Sequence, residues 1–293
     1  LQAITSYSTY DNSDLVKRCL YLFAGTRDVR GRISAALFTR PGVKSDTIYL
    51  FDYSLLFIPT LFEYYQATSD IETLQQLWPS AYDQVRNSRE RVLNGLVQNS
   101  SDWWVFIDWN DKLDKQAAAQ GVMIYCIDYA VRIAKILSDT HLGELIGYKK
   151  QLQRDALKLF DPQLQVFVSG ESRQVSMASQ IWMVLAGVVD AKQARELLTK
   201  ELPDTEAAKI RTPYLMHYYV EALFAAQMPE EAARVIKSFW GSMAELGCDT
   251  FWEVYDRQNH EFSPYGSYLL NSYCHAWSCT PSYFLDTYLK GTI

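Results

Sequence analysis

"PYLMHYYVEALFAAQMPEEAARVIKSFWGSMAEL", Pro213 to Leu246, sets two helical patterns of opposite character end to end. The first part, Pro213 to Gln227, carries a single charge, Glu221, so a helix there has almost no face to offer water. The second part keeps Ala232, Val235, Phe239, Met243 and Leu246 on one side and spreads its charges over the other. Pro229 followed by Glu230 and Glu231 is a sound helix start, because proline loses no useful donor there and acids suit the helix dipole. A buried helix is followed by an exposed one.

The contrast recurs along the chain. Lys115 to Leu137 carries Met123, Ile127, Ala130, Ala134 and Leu137 on one stripe, and Val122, Ile124, Val131 and Ile133 elsewhere. Gly143 to Phe160 has one apolar stripe, Leu145, Tyr148, Leu152, Ala156 and Leu159, among lysines, arginine and glutamine. Extended over the sequence, this periodicity predicts buried helices near 51–68, 115–138, 173–188, 212–227 and 272–290. It predicts exposed helices near 14–24, 71–96, 143–160, 191–202 and 229–246, with 1–10 as the tail of a further buried helix. Strand signals are scarce. Strict alternation fits a closed ring of helical hairpins, one layer inside the other. With six inner and five outer helices, one outer helix and most of the first inner one are expected upstream of Leu1. An α-solenoid also alternates, but these hairpins share no repeat motif. The loops leading into inner helices, 30–50, 98–114, 161–172 and 247–271, are long and aromatic. Loops of that length are usually functional, and in a ring they all open at one end.

Composition narrows the function classes. The net charge of −6 comes with no basic block, which argues against a nucleic-acid partner. No apolar stretch reaches the roughly 20 residues that span a bilayer, so no membrane segment is expected. The five cysteines lack CxxC spacing and suggest neither a disulfide framework nor a metal site, and no cofactor motif is present. The start "LQAITSYSTYDNSD" has neither initiator Met nor signal peptide and reads as a cut-out from something longer. Localisation stays open: periplasmic or secreted if a parent chain carries a signal peptide, cytoplasmic otherwise.

The long loops hold the conspicuous side chains: "SDWWVFIDWND" (Ser101 to Asp111), "TFWEVYD" (Thr250 to Asp256) and "SYCHAWS" (Ser272 to Ser278). Aromatic faces pack on sugar C–H faces while carboxylates, amides and imidazoles bind hydroxyls, so the set suggests a carbohydrate cleft. Bland readings stand beside this one. Trp103, Trp104, Trp109, Trp252 and Trp277 also suit plugs over the core, Asp108 and Asp111 suit turns or N-caps, and His275 suits a core position. Glu253 is harder to place structurally, because it has no basic neighbour in sequence and an unpaired buried carboxylate is expensive.

"DTFWEVYD" (Asp249 to Asp256), followed by "NSYCHAWSCTPSYFL" (Asn271 to Leu285), resembles the end of the catalytic domain of the inverting α-L-rhamnosidases. "FIDWND" (Phe106 to Asp111) is similar to that family's Gly-Asp-Trp loop, and "YLFDYSLLFIPTLFEYYQATSD" (Tyr49 to Asp70) to its Trp-x-Asp helix start. The resemblance covers essentially the whole chain. It implies an all-α fold, an (α/α)6 toroid, with residues 1–293 as a single catalytic domain truncated at its N-terminus. It also implies hydrolysis of terminal α-linked rhamnose with inversion, Glu253 as general base and His275 as a sugar contact. Asp52, Asp108 and Trp109 would fall in the sugar subsite, with Trp252 and Trp277 in its walls. A rhamnosyl glycoside would be the substrate, and N-terminal β domains of a parent chain the neighbours.

Two departures qualify it. The family's general acid belongs to an Asp/Glu/Arg motif ending in Gly-Trp-x-Gly-Asp, expected before Leu1, so this stretch alone is expected to be inactive. Leu50 also stands where the family often has tryptophan. The alternatives are a related toroid for another sugar and a non-catalytic carbohydrate-binding or scaffold toroid.

Overall fold

The computed structural model describes residues 1–10 and 12–290. Eleven α-helices are present among these residues: α1 (Gln2–Thr9), α2 (Asp14–Gly25), α3 (Phe51–Thr68), α4 (Ile71–Ser88), α5 (Gln116–Ile136), α6 (Leu142–Ala156), α7 (Met177–Leu185), α8 (Ala191–Thr199), α9 (Pro213–Ala225), α10 (Pro229–Glu245) and α11 (Pro281–Thr287). The odd-numbered helices form the inner layer. Each packs on the next, α1 on α3, α3 on α5, α5 on α7 and α7 on α9. The ring closes where Phe224 of α9 stacks at 5.7 Å on Phe284 of α11, and α11 packs on α1. Even-numbered helices lie outside these, α4 against α3 and α5, α6 against α5, α8 against α7 and α9, and α10 against α9.

Burial follows the sequence contrast. Every residue of α5 from Ala117 to Ile127 is buried, whereas α6 buries only Leu145, Leu152 and Ala156. The outer helix α10 docks through Ala232, Ile236, Phe239, Trp240 and Met243, of which side chains the size of Ile236, Phe239 and Met243 are worth about 1.5–3 kcal/mol each when buried. Leu246, expected on that stripe, caps the helix and is exposed.

The three helix predictions that overran the most did so for local reasons. The outer helix expected over 71–96 ends at Ser88, because Asn94 and Gly95, with φ of 53° and 83°, turn a hairpin of β3 (Val92–Leu93) and β4 (Leu96–Val97). Like β1 (Leu37–Phe38) and β2 (Lys44–Ser45), it precedes an inner helix. The inner helix expected from residue 173 starts at Met177. Residues before it form β7 (Gln174–Val175), the edge of a small sheet with β5 (Phe160–Asp161) and β6 (Val166–Ser169), and Ser176 then caps α7. The last inner helix, expected over 272–290, is only Pro281–Thr287. Residues before Pro281 give their backbone groups to the loop around Glu253, and the helix begins afresh at the proline.

Inner helices approach closely where side chains are absent. A Cβ on Gly121 of α5 would fall 2.6 Å from the backbone carbonyl of Trp182 on α7. Gly121→Ala is therefore expected to lower the free energy of unfolding by about 1–3 kcal/mol despite the better helix propensity of alanine. Chemical denaturation measures this, and an unchanged midpoint would mean that the two helices part at no cost.

Candidate active site

Asp52 lies in the first turn of α3 and is fully buried. Its Oδ1 accepts from the Phe106 amide at 2.9 Å and its Oδ2 from the Ile107 amide at 3.0 Å. The loop it grips is strained: Ile107, a β-branched residue, has φ of 58° and no exposure. Burial raises the Asp52 carboxyl above its ordinary range, and the two amides oppose this.

The left-handed residue turns the chain so that Asp108 faces α9. Asp108 Oδ1 accepts from the Thr212 hydroxyl at 2.6 Å and Oδ2 from the Arg211 amide at 2.7 Å. Thr212 is itself the N-cap of α9, so one carboxylate fastens the 98–114 loop to the start of an inner helix. Burial pushes the Asp108 carboxyl up to about 6, against these donors. Arg211 extends the fastening. Its guanidinium pairs with both Glu206 and Asp256 and lies 4.6 Å from the Phe262 ring, while its carbonyl accepts from the Tyr255 amide at 3.0 Å.

Glu253 stands where these loops converge. Its backbone amide donates to the Ser272 carbonyl at 2.8 Å, which fixes the chain beside the "SYCHAWS" segment. The carboxylate is buried, with the whole residue 4% exposed. Oε1 accepts from the Trp109 indole at 3.1 Å and from the Tyr265 hydroxyl. Oε2 accepts from the Ser272 amide at 3.3 Å and lies 3.8 Å from His275 Nδ1. The Trp277 indole donates to the Glu253 carbonyl at 3.1 Å, and its ring lies 4.2 Å from that of His275. Behind them Phe106 packs edge-on to Trp109 at 5.0 Å and to Tyr214 at 5.7 Å, with Trp277 at 5.8 Å. The Trp240 indole of α10 holds the Ser278 carbonyl at 2.9 Å, so the outer layer sets the position of the His275–Trp277 turn.

Of the residues singled out by sequence, Glu253, Trp109, His275 and Trp277 come together. Asp52 and Asp108 lie beneath them, their oxygens taken up by the fold. Trp252 turns its ring to Tyr273 at 4.9 Å and Tyr255 at 5.8 Å instead of to the carboxylate. Tyr255 is buried and donates to Ser242 of α10 at 3.0 Å. The rings beside the acid are thus supplied by other segments than its own. Sequence reasoning missed Tyr265, Phe106, Tyr214 and Arg211. For Tyr265 the available signal was an aromatic between Pro264 and Gly266 in a long loop, a turn that carries a ring.

Partial burial holds His275 below its ordinary pKa, with the nearby Glu253 carboxylate pulling the other way. Burial and the bond to Glu253 push the Tyr265 phenol up, so it stays protonated and donates at neutral pH. The arrangement presents a buried, oriented carboxylate beside a half-buried imidazole in an aromatic wall, which suits a proton acceptor acting next to a polar ring. Among the described residues no group of three or more His, Cys, Asp or Glu could hold a metal ion, and no helix is long and apolar enough to cross a membrane.

Comparison with known proteins gives this geometry a family. The fold superposes on a rhamnosidase from Klebsiella oxytoca with rhamnose bound, with a TM-score of 0.94 and 46% identity, over 98% of this chain and 56% of that one. The chain thus spans little more than half the length of that relative. A rhamnosidase of Bacillus sp. GL1 shares the fold with a TM-score of 0.80 at 21% identity, over 97% of this chain and 30% of the other. A mannosylglycerate hydrolase from Thermus thermophilus does so with a TM-score of 0.73 at 12% identity, over 97% and 92%. No curated protein sequence matches. Residues 1–289 match the profile of the bacterial alpha-L-rhamnosidase six-hairpin glycosidase domain, and the chain belongs to that family.

Proposed function

We propose that this chain forms the helical part of a glycoside hydrolase that removes terminal non-reducing α-L-rhamnose with inversion, with Glu253 as the general base. The observation that carries the reading is the Glu253 carboxylate, buried at the convergence of the long loops and bonded by the Trp109, Tyr265 and Ser272 donors. The rhamnose-bound relative, at 46% identity, supports the choice of sugar.

In an inverting reaction water attacks the anomeric carbon from one face while a carboxylic acid protonates the departing oxygen on the other, the two carboxyls standing roughly 6.5–9.5 Å apart. Glu253 takes the water's proton. His275 contacts a sugar hydroxyl, Trp109 and Trp277 wall the subsite, and Trp252 backs the wall. Asp52 and Asp108 shape the subsite from beneath. Both are fully buried, with backbone amides on the oxygens of each. Neither is free to serve as the acid, which we place in a neighbouring segment of a longer polypeptide that includes N-terminal β domains.

A second reading is a related toroid acting on another sugar. The mannosylglycerate hydrolase neighbour favours it, since the same ring serves a different substrate there. A panel of aryl glycosides given to the complete polypeptide separates the two, with the α-L-rhamnoside expected to turn over best.

Glu253→Gln in the complete polypeptide is expected to lower kcat on an aryl α-L-rhamnoside by roughly a hundred- to ten-thousandfold, the usual contribution of a general base. Near-normal turnover would remove Glu253 from that role. Asp108 gives a test of the scaffold. Its folded pKa of about 6 lies above the ordinary 3.8, so the folded state holds the proton more tightly than the unfolded chain. Its contribution to stability is therefore full below 3.8 and is lost as pH rises through about 6. Thermal melts across that window should show a flatter pH dependence in Asp108→Asn than in the parent protein, together with a loss of about 1–3 kcal/mol near neutrality from the unmatched Arg211 amide. Equal slopes would exclude a titrating Asp108.

A further inference from the structure

Tyr265 holds a position that the proposed reaction leaves unexplained. Its residue is 42% exposed, yet its hydroxyl reaches the carboxylate of a residue that is 4% exposed. It rides on a tight, self-bonded turn. Its amide donates to Ser263 Oγ at 3.1 Å, that hydroxyl donates to the Ser267 carbonyl at 2.8 Å, and Gly266 has φ of 82°. Its ring meets Trp109 edge-on at 5.4 Å. Trp109 and Tyr265 therefore close on the same oxygen, Oε1, from two different loops.

A carboxylate oxygen has two lone-pair sites, and both side-chain donors fall on Oε1. Oε2 has one long bond to the Ser272 amide at 3.3 Å, with His275 at 3.8 Å beyond bonding distance. Building on the reading of Glu253 as base, we infer that Tyr265 is a positioning residue for the reaction. With Trp109 it ties down Oε1, so that Oε2 is the oxygen that takes the proton. In that step the water oxygen bonds to the anomeric carbon, its proton passes to Oε2, and the bond to the leaving oxygen breaks as the carboxylic acid on the far side protonates that oxygen. Tyr265 touches no reacting atom. Its ring also covers the carboxylate from solvent, leaving a turn as the outermost wall over the base. The titratable groups that face Glu253 are Tyr265 itself, His275 and, further off, Tyr53.

Tyr265→Phe in the complete polypeptide keeps the ring and removes only the donor. We expect kcat on an aryl α-L-rhamnoside to fall roughly ten- to a hundredfold, the size of a lost bond to a charged group, with KM unchanged. Placed on Glu253→Gln, the same substitution should change the residual rate by less than roughly twofold, since it acts only through that carboxylate. A raised KM at constant kcat or a full additive loss on Glu253→Gln would each overturn the inference. If Glu253→Gln itself turned over normally, the base assignment would fail first; if it is inactive while Tyr265→Phe is normal, only the role of Tyr265 falls. Matching melting temperatures exclude misfolding, and Tyr265→Ala, which also uncovers the base, should lose more activity than Tyr265→Phe.

Discussion

A carboxylate taken out of water needs its oxygens filled by donors, and the open end of this ring is organised by three residues under that requirement. Asp52 draws the Phe106 and Ile107 amides onto the start of α3, and Asp108 draws Thr212 and the Arg211 amide onto the start of α9. Those bonds place Trp109, and Trp109 in turn reaches Glu253. The order of dependence runs from two acids that meet no solvent to a third that stands where the long loops converge. Packing alone would not define the loop so narrowly, because apolar contacts tolerate sliding and a bidentate set of amides does not.

The layered ring supplies the rigid base for these loops. Inner helices such as α5 are buried nearly all round and approach their neighbours at positions such as Gly121, while outer helices hold them by one stripe. The outer layer is more than packing material, since Trp240 of α10 holds the turn that carries Trp277 and Tyr255 reaches Ser242 on the same helix. Site geometry is in this sense a product of both layers.

The helical ring was legible in the sequence because burial of whole helices leaves a compositional mark: Glu221 is the lone charge between Pro213 and Gln227, and the start of α10 is announced by Pro229 and its acids. The short sheets were not read. Asn94-Gly95 is a hairpin signal in itself, but it sat inside a helical periodicity that outweighed it. Among the candidate residues, the convergence of Glu253, His275 and Trp277 was foreshadowed in sequence, Glu253 by the oddity of its surroundings and the other two by their segment. The hydrogen-bond partners of Asp52 and Asp108 were not, because an acid looks the same in sequence whether it faces a ligand or a backbone amide from a distant loop. Tyr265 was invisible for a related reason: its partner lies in space, across a turn whose local chemistry says only that the chain reverses.

Arg211 carries a consequence for how such domains can change. Its amide serves Asp108, its carbonyl serves the Tyr255 amide, and its guanidinium joins Glu206 to Asp256. Three loops that differ in sequence and length are thereby keyed to one residue, through its backbone as well as its side chain. A loop transplanted from a related toroid would arrive with the wrong lock for that key, so loops in this architecture are expected to change as a set.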